Sequence, residues 1–224
     1  MGFHKKAHVV AALKPDIAVI PECGESSISV LDEYGYVGVW VGSNPHKGLG
    51  AFVREPLSAK LLCKPKQKWI AVLDIDGWKK PLRLIAVWAC KVGDKKCDNY
   101  IGQVYEAFTK NPDWLSVPDT VVAGDFNSNT IWDSARPLGN HTAVVKLLET
   151  RGIVSAYHEL YGERQGEETR HTLFFRKDRQ NPFHIDYVFL PNRWATYLHK
   201  VSIGTHVKWA ALSDHRPIVV DVLA

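Results

Sequence analysis

Short apolar runs closed by Gly, Pro, Asn or Asp recur along the chain, and their period alternates between that of strands and that of helices. Residues 4–14 (HKKAHVVAALK) fit a helix that stops at Pro15. Asp16-Ile17-Ala18-Val19-Ile20 reads as a strand ending at Pro21-Glu22-Cys23. Strands near 36–42 and 49–54 flank a turn over 43–48, and runs over 68–76 and 82–89 surround Gly77-Trp78-Lys79-Lys80 as a hairpin. A helix over 99–110 precedes a strand over 120–124, and a second helix over 141–151 ends before Gly152. Strand signals return at 171–176, 184–190, 197–203 and 216–223, with no repeat, low-complexity segment or linker between them. Strands outnumber helices, which predicts an α/β (α+β) domain over 1–224 with two stacked sheets flanked by helices.

Polar side chains gather at the ends of these strands. Val121 to Ala123 reads as a buried strand that ends at Gly124 and then presents Asp125 and Asn127. If strand geometry persists, Asp125 and Asn127 point one way and Phe126 returns to the core. A carboxylate beside a carboxamide can hold and polarise a water, although a turn rich in Asp and Asn has the same composition. Glu22 follows the strand over 16–20, and Ser213-Asp214-His215-Arg216-Pro217 precedes the last strand. Asp214 and His215 would face opposite ways in a regular strand but can converge in a loop. His184-Ile185-Asp186 repeats the two-residue spacing, so His184 and Asp186 are expected on one face. Burying Asp186 calls for a partner, and a histidine would meet that need.

Composition narrows the class only slightly. The 224 residues, 46% hydrophobic, suffice for one core, and the net charge of +4 is compatible with a polyanionic ligand without requiring one. No apolar run reaches the ~18 residues of a membrane span. Met1-Gly2-Phe3-His4-Lys5-Lys6 leads into no apolar stretch of the secretory kind. Cys23, Cys63, Cys90 and Cys97 lack a Cys-x-x-Cys pair, so reduced thiols in a cytoplasmic protein are expected, with neither a zinc site nor a disulfide framework.

Four segments together resemble the endonuclease/exonuclease/phosphatase superfamily (DNase I-like and exonuclease III-like proteins). They are Pro15-Asp16-Ile17-Ala18-Val19-Ile20-Pro21-Glu22, Gly124-Asp125-Phe126-Asn127-Ser128, His184-Ile185-Asp186-Tyr187 and Ser213-Asp214-His215-Arg216-Pro217, in the family's order. The resemblance runs from about residue 4 to the C-terminus and implies a four-layer α/β sandwich of two mainly antiparallel sheets with the site at one end. It implies metal-dependent phosphodiester hydrolysis, with Mg²⁺ or alternatively Mn²⁺ as cofactor and nucleic acid as the leading substrate class. Glu22 would be the principal metal ligand and Asp214 a further metal-side or water-positioning carboxylate. Asp125 would orient or deprotonate the attacking water, with Asn127 fixing that geometry or touching phosphate. His215 would donate to the scissile phosphate, with Asp186 as its orienting partner, and Asp186 and Asp214 could exchange their roles.

Two departures from the family stand out. Relatives open with a strand bearing a Trp-Asn or similar pair whose Asn lies near the metal. Here Met1 falls in what resembles the loop after that strand, through a displaced start or a natural gap, so weaker metal binding and an open sheet edge are expected. Relatives also carry a His or Tyr that touches the phosphate near Ala86-Val87-Trp88-Ala89-Cys90, where this chain offers Trp88 or Cys90. That contact is expected to be absent or replaced, with Trp88 read as a core or rim aromatic rather than a catalytic group.

Weaker signals complete the picture. Asn44 and Lys47, in a Gly-flanked turn, could meet a phosphate, and with Trp88 they form the expected substrate-binding set. His4 and His8 share a helix spacing but lack the intervening Glu of a metalloprotease motif, which favours an exposed face. Lys5 and Lys6 stand against the dipole of the first helix. Lys60, Lys64, Lys66, Lys68, Lys79 and Lys80 interleave with Trp69 and Trp78, a combination that suits a nucleic-acid backbone or a solvated hairpin. A phosphomonoesterase, a phospholipid diesterase and a noncatalytic binding protein of the same descent remain as alternatives. No obligate protein partner is evident.

Overall fold

The computed structural model describes residues 2–63, 69–91, 100–135 and 139–223. A 3-10 turn over Phe3–Lys5 leads into α1 (Ala7–Ala11) and then β1 (Ile17–Cys23). β2 (Tyr36–Asn44), β3 (Lys47–Arg54), β4 (Ser58–Cys63), β5 (Ile70–Asp76) and β6 (Leu82–Trp88) follow. Helix α2 (Ile101–Lys110) precedes β7 (Asp119–Asp125), after which come α3 (His141–Glu149), β8 (Ile153–Ser155) and α4 (Ala156–Tyr161). The remainder holds β9 (Leu173–Phe174), β10 (Pro182–Phe183), β11 (Asp186–Pro191), β12 (Leu198–Ile203), α5 (His206–Trp209) and β13 (Ile218–Val222).

One sheet has the order β4-β5-β6-β7-β11-β8 and is antiparallel except for the parallel pair β6–β7. A parallel neighbour needs a crossover, and α2 supplies it. β6 is apolar at almost every position because both its faces are covered. Leu84, Ala86 and Trp88 face the second sheet, whereas Ile85 and Val87 face Val104 and Phe108 of α2 and Val144 and Leu148 of α3. Opposite lies β1-β3-β2, whose outer side is covered by Phe3, Ala7 and Ala11 against Ala18 and Phe52. The result is the expected helix–sheet–sheet–helix sandwich.

Several expectations need correction. The strand expected over 171–176 shrinks to Leu173–Phe174 and passes into a 3-10 turn with Arg176 in a left-handed conformation (φ 54°). Its backbone is taken up by the short strand β10 and the loop before β13: Thr172 N–H donates to Phe183 O, and Phe174 N–H to Asp214 O. The turn over 43–48 is tighter than expected, because β2 and β3 continue to Asn44 and Lys47. The second sheet is not continuous: β12 and β13 form a separate two-stranded sheet. β4, β8 and α4 carry no pattern strong enough to have been anticipated. Lys64, Lys66, Lys68 and Cys97 lie outside the described residues. Cys23 is fully buried, and burial pushes its thiol up to about 12. Among the described residues no helix is long and apolar enough to cross a membrane.

Candidate active site

Asp125 ends β7 and is 3% exposed. The preceding Gly124 is required by its environment: φ is +139°, and a Cβ there would sit 1.9 Å from Val87 O of the parallel neighbour β6. Phe126 turns into the core against Tyr187 and Phe189, with ring centroids 5.6 and 5.4 Å away. Asn127 then adopts a left-handed conformation (φ 44°), which Asn tolerates better than most residues. Its backbone N–H donates to Asp125 Oδ1 (2.8 Å) and its Nδ2 to Asp125 Oδ2 (2.7 Å). Asp125 and Asn127 therefore converge as the sequence suggested, but by a turn, not by a continued strand.

β11 places Asp186 directly opposite Asp125 in the antiparallel ladder, so two carboxylates stand on neighbouring strands. His215 completes the group, with Nδ1 3.0 and 3.2 Å from the two Asp186 oxygens. Residues 172–174 bring the two elements together. Thr172 Oγ1 accepts from both Ile185 N–H and Asp186 N–H (3.0 Å each), and Thr172 O accepts from Arg216 N–H (2.6 Å). A bridge between Leu173 and His215 adds to the clamp. From beneath, the buried Arg216 guanidinium donates to Ser213 O and His215 O (2.8 and 2.9 Å) and lies 4.7 Å from the Phe174 ring.

His184 does not share the face of Asp186. It is 2% exposed and its Nδ1 meets Arg170 O at 2.7 Å. In an extended strand successive N–H groups point in opposite directions, yet those of Ile185 and Asp186 converge on one Thr172 hydroxyl. The chain is bent there, and regular alternation begins only at Asp186. His184 belongs with Asn129, His158, Glu168 and Tyr187 in a buried polar network. Asn129 Nδ2 serves Glu168 Oε2, His184 O and Tyr187 OH within 3.1 Å, which braces the loop carrying Asn127.

Electrostatics separate the roles of the three converging groups. Burial and the nearby Asp186 charge raise the Asp125 pKa, with His215 and the Asn127 N–H opposing them. Burial disfavours a charged His215, but Asp186 and Asp125 outweigh it and push the imidazole up to about 10. His215 is thus an imidazolium held by Asp186, while Asp125 is a strengthened base beside it. Such a trio can take a proton from water at Asp125 and offer positive charge and an N–H donor at His215.

A second set of charges rims the mouth. Glu22 sits at a bulge of β1 with φ 57°, which turns its side chain outward. Lys47 Nζ lies 2.8 Å from Glu22 Oε1 and 5.0 Å from the centre of the Trp88 ring. Trp88 is 4% exposed, pairs in register with Asp125 and packs on Trp69, so it supports Lys47 from below rather than presenting an open face. Asn44 is exposed and its Oδ1 accepts from His46 N–H (3.0 Å), capping the turn that carries Lys47. Lys6 is half-buried; burial lowers its pKa, while the charges of Asp214 and Glu22 act to raise it and Lys177 to lower it. Asp214 and Glu22 thus both act electrostatically on Lys6, and Glu22 is also paired with Lys47. Both are hard oxygen donors, and a Mg²⁺ or Mn²⁺ ion fits that chemistry. The tightest group of potential ligands among the described residues is different: Asp125, Asp186 and His215, with ligand atoms within 4.8 Å of one another.

Sequence reasoning missed Thr172, Arg216, Asn129 and Lys6 as parts of the site. The lysine left a signal, its mismatch with the helix dipole, whereas the others act through contacts that no local pattern announces.

No protein-family profile matches the chain, and no curated protein matches it. Solved structures do. The 3'-5' exonuclease NExo from Neisseria meningitidis is 18% identical with a TM-score of 0.70, over 99% of this chain and 96% of that one. The Neisseria 3' phosphatase NExo bound to product DNA hairpin gives 17% and 0.71, over 100% and 96%. An AP endonuclease from Archaeoglobus fulgidus gives 19% and 0.69, over 99% and 95%. The chain has the DNase I-like endonuclease/exonuclease/phosphatase fold.

Proposed function

We propose that this chain is a divalent-metal-dependent phosphodiesterase acting on nucleic acid. The observation that carries the reading is the convergence of Asp125, Asp186 and His215, with Asn127 fastened to Asp125, at adjoining strand ends. Asp125 accepts a proton from the attacking water, and Asn127 holds the Asp125 carboxylate in place. His215, kept charged by Asp186, donates to a phosphoryl oxygen as negative charge grows. Glu22 and Asp214 would hold a Mg²⁺ or Mn²⁺ ion, which when bound neutralises phosphate charge and assists the leaving oxygen. Lys6, Lys47 and Lys177 offer positive charge to the flanking phosphates of a polyanion.

Nucleic acid as substrate is supported by this cationic rim and by the exposed Trp132, which packs on Phe183 with ring centroids 5.1 Å apart. Of the solved structures of the same fold, one is a 3' phosphatase bound to product DNA hairpin and another is an AP endonuclease, which favours the same reading. The testing experiment incubates purified protein with end-labelled plain, nicked and abasic duplexes, RNA, a p-nitrophenyl phosphomonoester and a choline phospholipid, with Mg²⁺, Mn²⁺ or EDTA. Metal-dependent turnover of a nucleic acid supports the proposal. Turnover confined to the monoester or the phospholipid overturns the substrate class.

A further inference from the structure

We propose that His206 is a positioning residue for the hydrolytic site: as a neutral imidazole it locks the Arg216 guanidinium, and Arg216 fixes the backbone that aims His215. The kinetic consequence rests on the phosphodiesterase reading above, whereas the contact itself stands on geometry. His206 is the first residue of α5 and is half-buried.

Arg216 is 1% exposed, yet among the described residues no carboxylate bonds to it. Its Nη1 donates to Ser213 O (2.8 Å) and His215 O (2.9 Å), and its Nη2 lies 2.9 Å from His206 Nδ1. Nε finds no partner among the described residues, and the Phe174 ring lies 4.7 Å from Cζ. A buried guanidinium with so few acceptors cannot lose one without a large cost. His206 Nδ1 is its only side-chain acceptor among the described residues. Phe174 N–H donates to Asp214 O at 2.8 Å, so the carbonyls of Ser213, Asp214 and His215 are all held. This clasp sets the direction of the Asp214 carboxylate and of the His215 ring, which meets Asp186 at 3.0 Å.

The chemistry of the contact fixes the state of His206. A guanidinium offers donors and no lone pair, so the ring nitrogen facing it must be bare and accept. The proton of the neutral ring then sits on Nε2, and an imidazolium would turn one N–H toward another. Partial burial and the positive charges of Arg216 and Arg179 lower the His206 pKa, which acts in the same sense. The ring packs edge-on against Phe174, with centroids 4.8 Å apart. Its turn is tightly docked: Gly204 N–H donates to Pro217 O at 2.9 Å, and Thr205 Oγ1 accepts from Lys208 N–H at 3.4 Å. A Cβ at Gly204 would come within 2.6 Å of the Trp209 ring. A turn held this closely presents His206 Nδ1 to Arg216 with little freedom.

Two substitutions in the full chain separate positioning from packing. His206→Asn offers Oδ1 where Nδ1 stood, and His206→Phe keeps a ring against Phe174 but has no acceptor. His206→Phe should lower kcat on a cleaved duplex about 10–100-fold with KM little changed, while His206→Asn stays within about threefold of wild type. NMR on protein with isotope-labelled histidine reads the contact without turnover. In the wild type His206 should carry its proton on Nε2 at about pH 7.5. The His215 ring resonances should move in the Phe variant and stay in place in the Asn variant. A His206 proton on Nδ1 overturns the proposal, as do equal losses in the two folded variants or a wild-type kcat in folded His206→Phe. If neither variant folds, the wild-type tautomer upholds or overturns the contact. If the wild type cleaves no nucleic acid, the phosphodiesterase reading fails, and the His215 resonances alone uphold or overturn the role of His206.

Discussion

His215 and Asp186, 29 residues apart in the chain, meet with Nδ1 3.0 Å from Oδ2 because Thr172 binds the backbone of Asp186 and that of Arg216 at once. The pair sets the charge of the site. Asp186→Asn removes the carboxylate that holds His215 at about 10, so the imidazole should titrate near its ordinary range and kcat should fall by about 10²–10⁴ at neutral pH. NMR titration of His215 beside steady-state kinetics checks this. A His215 still titrating near 10 in the variant would mean that Asp186 is not the source of its charge.

Asp125→Asn keeps an acceptor for the Asn127 N–H and removes the base. Activity should fall about 10³-fold or more, while the melting temperature stays level or rises, since Asp125 and Asp186 no longer repel. Circular dichroism melts and single-turnover cleavage separate the two effects. Wild-type cleavage by a folded Asp125→Asn protein would remove Asp125 from the mechanism.

Much of this site was legible because strand ends concentrate polar residues at short spacings: Glu22, Asp125, Asn127, Asp186 and His215 all stood out. The alternation rule also failed at specific places for physical reasons. Asn127 reaches Asp125 through a left-handed turn, and His184 turns inward because one hydroxyl gathers two successive N–H groups. Thr172 and Arg216 were invisible because their partners are distant in sequence. The split of the second sheet was foreshadowed only by the family comparison, since the hydrophobic pattern of β1 or β13 does not disclose how many neighbours a strand has.

Gly124→Ala tests the close approach of β6 to β7. The added Cβ would meet Val87 O at 1.9 Å in a conformation that L-residues avoid, so backbone must move next to Asp125. A loss of about 3 kcal/mol or more is expected, read by urea unfolding. A variant as stable as the wild type would contradict the geometry of this strand crossing.

Acid should weaken the buried polar network, in which the His141 ring packs 5.0 Å from that of Tyr187. Burial lowers His141 to about 4, so the unfolded chain binds a proton that the folded chain refuses between pH ~6.5 and ~4. Stability therefore falls as pH drops through that window, by on the order of 3 kcal/mol for this one group. His184, also lowered by burial, adds in the same direction. Urea melts at pH 7 and pH 4.5 check the sign, and His141→Gln should flatten the dependence. A stability that rises on acidification contradicts it.

Lys47→Ala removes an ion pair whose two side chains are both half-exposed, so folding stability should change by less than ~1 kcal/mol. Under the proposed function its positive charge meets the substrate's phosphates, so KM for a phosphodiester should rise several-fold with a smaller change in kcat. Initial-rate kinetics on one labelled duplex reads the split. A large loss of kcat at unchanged KM would instead make Lys47 part of the reacting centre.

The most direct test of the account is single-turnover cleavage of an end-labelled nicked or abasic DNA duplex by wild type, Asp125→Asn and His215→Ala, each with Mg²⁺ and with EDTA. The arrangement of Asp125, Asp186 and His215 predicts cleavage by the wild type with metal, none with EDTA, and at least a hundredfold loss in both folded variants. Undiminished cleavage by either variant, or no cleavage of any nucleic acid by the wild type with Mg²⁺ or Mn²⁺, would contradict it.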